Sequence, residues 1–125
     1  MRKFNPTSSH PARAVQAWQI LVNKAMNRQT ITYRDLSRLM YRRTAAGVLN
    51  SVLGHIAFYC ADNRLPPLTS IVVGMTSGTP GHNIPLDLTA VDQSREKVYG
   101  YDWYGLYPPP EKELSDSHAR HMAAA

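Results

Sequence analysis

The sequence predicts a small α/β domain, mostly helical, with three N-terminal helices and a short β-hairpin or sheet. Three observations carry this reading. Apolar residues recur at helical spacing over residues 15–25. A capping pattern at residue 32 opens a second helix, and a long apolar helix follows it. A short β-branched run then leads into a glycine-containing loop. Helix, turn, helix, strand and loop, in that order from Thr30 to Gly81, are what a winged helix-turn-helix requires.

Residues 1–8 are polar and read as a flexible N-terminus, 9–107 as the winged-helix-like domain, and 108–125 as a disordered tail. The first helix begins near Ser9 and Pro11, since proline is tolerated in a first turn. Val15, Trp18, Leu21, Val22 and Ala25 give it one buried stripe, and it ends near Asn27. Thr32-Tyr33-Arg34-Asp35 has the form of a capping box, so a second helix runs from about Tyr33 to Tyr41 with Leu36, Leu39 and Met40 inward. Thr44 is the expected cap of a third helix, which stops near Asp62 or Asn63. Its stripe of Leu49, Leu53, Ile56 and Cys60 reads as core, with a dimer seam as the alternative.

Leu65-Pro66-Pro67 is an extended link, and Thr69–Val73 reads as a strand. Gly74 to Pro85 reads as a loop with tight turns. A short amphipathic helix is expected within 86–97. Val98–Trp103 alternates and is expected to return as a strand beside Ile71–Val73. The aromatics Tyr99, Tyr101, Trp103, Tyr104 and Tyr107 suit stacking on bases, a protein-binding patch, or closure of the core around the first helix.

Charge is unevenly divided. Residues 1–64 hold ten Lys/Arg against two acids, Asp35 and Asp62, whereas residues 65–125 hold four against seven. A basic half that carries a helix-turn-helix pattern is the electrostatic footprint of a nucleic-acid binder. The formal net charge of +5 favours an acidic partner. No apolar run approaches a membrane span, and the N-terminus has no apolar core of a secretory signal. Cys60 is the only cysteine, which excludes an intrachain disulfide and suits the cytoplasm. No phosphate-binding glycine loop, serine-nucleophile elbow or metal-ligand spacing is present, so no catalytic residue, cofactor or metal is expected.

Arg34, Arg38 and Arg42 follow one another at intervals of four, and Arg28 and Arg43 flank them. Guanidinium forks suit phosphate oxygens. The ordinary alternative is a solvated helix face. Asn50, Ser51 and His55 fall on the outer side of the third helix, where Asn in particular can read a base edge.

The segment resembles the C-terminal DNA-binding domain of the O6-alkylguanine-DNA alkyltransferases and alkyltransferase-like proteins, over about residues 14–82. Trp18-Gln19-Ile20-Leu21 is similar to the family's first helix, and Ile31-Thr32-Tyr33-Arg34-Asp35-Leu36-Ser37-Arg38-Leu39 to its second. Asn63-Arg64-Leu65-Pro66 resembles its link and Ile71-Val72-Val73 its strand. Gly78, Pro80 and Gly81 stand at the position of the wing. The resemblance implies a phosphate contact from Tyr33. It puts the family's nucleophilic Cys on Thr69, its neighbouring His on Ser70 and its Arg on Ile71. The Arg that the family inserts into the duplex falls on Gly47, and the third helix is longer by about two turns. Alkyl transfer needs an activated thiolate, which this pattern lacks.

The expectation is therefore a non-enzymatic binder of double-stranded DNA, with Arg28, Tyr33, Arg34, Arg38, Arg42, Arg43, Thr44, Asn50 and Ser51 on the interface and Gly74–Asn83 as a wing. The alternative is a protein-interaction module on the same scaffold, such as a phage or mobile-element factor, or a homodimer. A small nuclease or toxin using His55 or His82 is the third reading.

Overall fold

A computed structural model describes residues 1–74 and 91–124. Its described residues form five α-helices and a two-stranded parallel sheet, a mostly helical α/β arrangement. Helix α1 spans His10–Met26. Ser9 caps it, its hydroxyl accepting from the Ala12 amide, and Pro11 sits in the first turn. Of the stripe read from the sequence, Trp18, Leu21, Val22 and Ala25 are buried and Val15 is half-buried; Ala14 and Ala17 are buried beside them. Arg13 is buried beside it.

Strand β1 is only Ile31–Thr32, because Thr32 already caps α2 (Tyr33–Tyr41) by accepting from Asp35 N at 3.0 Å. Leu36, Ser37 and Met40 are the buried side of α2. Leu39 is not among them and is 58% exposed, a correction to the expected stripe. Leu36 and Met40 stand one turn apart, Ser37 lies next to Leu36, and Leu39 falls on the opposite flank of that arc. Arg42 ends the helix in the left-handed conformation, φ 60°.

Helix α3 spans Ala46–Asp62. Ala45, not Thr44, occupies its N-cap, and no side chain caps it. Leu49, Val52, Leu53, Ile56, Ala57 and Cys60 are buried, as are Gly54 and His55. A helix apolar nearly all round belongs in the interior. Here α1, α2 and the C-terminal helix cover it, so the stripe considered as a dimer seam is occupied within the chain.

The expected strand 69–73 is mostly a 3-10 turn, Leu68–Ile71, followed by β2, Val72–Val73. Strand β2 pairs in parallel with β1, Ile31 opposite Val72 and Thr32 opposite Val73. The early start of α2 limits this ladder to two residue pairs. Helix α4 spans Val91–Gly100, overlapping the helix expected within 86–97, of which 86–90 lie outside the described residues. The expected return strand 98–103 is absent. Val98 is instead buried in the last turn of α4, and Trp103 begins a 3-10 turn, Trp103–Gly105. Trp103 Nε1 donates to Val98 O at 2.7 Å, and its ring meets Trp18 edge-on at 5.6 Å. Of the five aromatics, Trp103 closes the core, while Tyr104 and Tyr107 are exposed.

The polar tail is also corrected. Residues Glu111–Ala124 form helix α5, which packs on α3 and α1 with Leu114 and Ser117 buried. The N-terminal segment is likewise tied down. Asn5 O accepts from Arg13 Nη2 at 2.6 Å, and Arg2 pairs with Glu111 at 2.8 Å.

Candidate nucleic-acid interface

The turn that joins α2 to α3 gathers the predicted arginines. Arg34 and Arg38, one turn apart on α2, are both exposed. Arg42 leaves the helix in its left-handed conformation, so it does not continue their row, and Arg43 and Thr44 follow it, all three exposed. Among the described residues no hydrogen bond or ion pair holds the guanidinium groups of Arg34, Arg38, Arg42 or Arg43. Asp35 is the one acid between Thr32 and Ala61. Four unneutralised cations on 10 consecutive residues make this the most basic stretch of the chain.

The N-terminal end of α3 extends the same region. Gly47 and Val48 are exposed, and nothing lies within 4 Å of a Cβ added at Gly47. From Leu49 onward the helix is mostly covered, and a Cβ added at Gly54 would lie 4.0 Å from the His118 ring of α5. The open part of α3 nearest the arginines is therefore its first turn.

The other predicted residues are placed differently. Arg28, left-handed after α1 with φ 54°, pairs with Glu96 at 2.9 Å and lies over the Tyr99 ring at 5.1 Å. Tyr33 is half-buried against the core. Ser51 hydrogen-bonds with His10 Nδ1 at 3.1 Å, so its hydroxyl faces α1 and not the open end of α3. Asn50 is half-buried, its Oδ1 without a partner among the described residues. The wing, Gly74–Asn83, lies outside the described residues except for Gly74, as does His82.

The positions that the resemblance gives to the family's Cys, His and Arg are fully covered: Thr69, Ser70 and Ile71 each have no exposed surface. Neither hydroxyl has a partner among the described residues, although Ser70 O accepts from Arg95 Nε at 2.8 Å. Cys60 is buried in α3, and loss of solvent pushes its thiol up to about 12, far from a reactive thiolate.

Two features escape a sequence reading. Arg13, spaced among apolar residues of α1, lies beneath a cavity of about 380 Å³ lined also by Tyr41, Arg42 and Arg43. The histidines His10, His55, His118 and His121 line one seam between α1, α3 and α5, although the first and last stand 111 positions apart. Both features join residues remote in sequence; the one local signal was an arginine interrupting an apolar stripe. Among the described residues no group of three or more His, Cys, Asp or Glu side chains is placed to hold a metal ion. None of their helices is long and apolar enough to cross a membrane. Comparison with protein-family models, with curated proteins and with solved structures gives no match for this chain.

Proposed function

We propose that this chain binds double-stranded DNA without covalent chemistry, on a winged-helix-like scaffold. The observation that carries the reading is the open cluster of Arg34, Arg38, Arg42 and Arg43, none of them neutralised by a neighbouring acid. In this reading α2 lies across the backbone, with Arg34 and Arg38 on phosphates. The open first turn of α3, with Thr44, Gly47 and Val48, approaches the major groove. Gly47 leaves room for close approach of a backbone or base edge. Arg28 contributes after exchanging Glu96 for phosphate, an exchange favoured by the weakness of exposed ion pairs. A cytoplasmic setting suits the single buried thiol.

Affinity in this account is mainly electrostatic and sequence-tolerant. The test is fluorescence anisotropy of a labelled duplex with the double variant Arg34→Ala, Arg38→Ala. A loss of about tenfold or more at moderate salt is expected from two charge-assisted contacts. Unchanged affinity would remove the arginine face from the account.

A second reading has one specific observation in its favour. Leu39, on α2 with Arg34 and Arg38, and Val48, in the first turn of α3, are 58% and 40% exposed. Apolar residues amid cations also suit an acidic protein surface.

A further inference from the structure

Beside the arginine cluster the N-terminal segment, α1, the end of α2 and the start of α3 enclose the cavity of about 380 Å³. Its wall includes Phe4, His10, Arg13, Tyr41, Arg42 and Arg43 and, among the described residues, no Asp or Glu. Arg13 is only 3% exposed and has no carboxylate partner among the described residues. Neutral acceptors hold it instead: Gln16 Oε1 at 2.7 Å, Met40 O at 2.9 Å and Asn5 O at 2.6 Å. Its guanidinium stacks over the Tyr41 ring at 4.4 Å, and its Nε has no acceptor among the described residues. Carbonyl oxygens satisfy N–H groups but do not cancel a charge, and a buried charge without a counter-ion is unfavourable.

Two further features point the same way. The Tyr41 hydroxyl is buried without a partner among the described residues. Burial raises its pKa against the opposing pull of Arg13 and Arg43, so it remains a neutral O–H donor. Helix α3, 17 residues long, begins at this cavity with no side-chain cap, and Ala45 and Val48 line the wall. Its first amides and the positive end of its dipole are therefore open to an anion.

We propose that this cavity is a binding site for a phosphate monoester, presented by the end of a DNA strand or by a free mononucleotide. Arg42, Arg43 and the α3 amides make the direct contacts. Arg13 and Tyr41 act from beneath the wall, by field and by the donors they leave unused. Three permanent cations match a dianion better than the single charge of a diester. A terminal group can also enter a concavity that an interior phosphate, flanked by two sugars, cannot. The strand-end source rests on the DNA reading; the mononucleotide source does not.

The test uses the full chain with two probes: 3′-labelled duplexes with or without 5′-phosphates, followed by anisotropy, and deoxyadenosine 5′-monophosphate, followed by calorimetry. The expected result is at least tenfold tighter binding of the phosphorylated duplex. Arg43→Gln should erase that preference, as should Arg13→Gln. Arg43 is exposed, so its variant keeps the fold even if the Arg13 variant does not. Nucleotide binding that Arg43→Gln abolishes, with neither duplex bound, would sustain the cavity site and sink the DNA reading. Equal binding of both duplexes with no nucleotide binding would overturn the cavity site and leave the DNA reading standing.

Discussion

The His118 imidazole of α5 lies flat on the His55 imidazole of α3, ring centroids 3.9 Å apart and planes within 4°. Three residues on, Phe58 and His121 repeat the arrangement at 4.3 Å and 9°. Two pairs in the same order show that α3 and α5 run in the same direction. His55 Nδ1–H donates to Ser51 O at 2.8 Å, and His10 meets the His55 ring edge-on at 6.4 Å. Burial lowers the pKa of both His55 and His118, and the neighbouring His10 lowers each further. The stack thus favours two neutral rings.

The unfolded chain therefore binds more protons than the folded one between the depressed values and the ordinary histidine value of about 6.5. The contribution to stability is fully present above about pH 6.5 and declines as the pH falls through it. Urea midpoints at pH 7.5 and pH 5.0 check this, with the lower midpoint expected at pH 5.0. His118→Phe keeps a stacked ring, removes a titrating group and should flatten the difference. Equal midpoints for the unaltered protein would contradict the neutral-stack account.

Asp62 binds the end of the same helix. It accepts from His121 Nε2 and Arg120 Nη2, each at 2.8 Å. The His121 bond first, then Arg120, holds its carboxyl well below the usual 3.8, at about 2. That contribution is present above about pH 3.8 and is lost as pH falls toward 2. Because the groups are partly exposed, Asp62→Asn should cost less than about 1 kcal/mol globally. It should nevertheless speed amide exchange at residues 120–124, which hydrogen-exchange mass spectrometry reads locally.

Leu114 is fully buried on α5. Leu114→Ala should cost about 2–5 kcal/mol in urea denaturation, the range for emptying a packed leucine site. A change below about 0.5 kcal/mol would mean that residues 111–124 do not pack in solution.

Leu36 and Leu39 separate the core from the candidate interface on a single helix. Leu36 has no exposed surface, and Leu39 is 58% exposed. Leu36→Ala should cost about 2–5 kcal/mol, and Leu39→Ala less than about 0.5 kcal/mol. If Leu39→Ala disrupts a protein complex while leaving stability and DNA affinity intact, Leu39 belongs to a protein-binding surface and the acidic-protein reading is supported.

Local signals were legible in the sequence. Ser9 and Thr32 mark two helix starts because a cap needs only its own first turn. The stripe of α1 follows from spacing alone. Non-local structure was not legible. Helix α5 is polar by composition, and only the surface that α3 and α1 present together gives its few buried residues a place to pack. Residues 98–103 alternate like a strand, but Trp103 finds its donor's acceptor in the preceding helix at Val98. Thr44 has the right chemistry for a cap one residue too early. The arginine cluster was visible as composition. Which arginines stay open was not, since Arg28 meets Glu96 from 68 positions away.

The most direct test of the central claim is anisotropy of a 20-base-pair duplex titrated with the protein from low to physiological salt. A log–log slope of about −3 or steeper is expected if Arg34, Arg38, Arg42 and Arg43 meet phosphates, since each contact contributes about −0.9. The Arg34→Ala, Arg38→Ala variant should lower the magnitude of that slope by about 2. Absence of binding at low salt, or a slope near zero, would contradict the account.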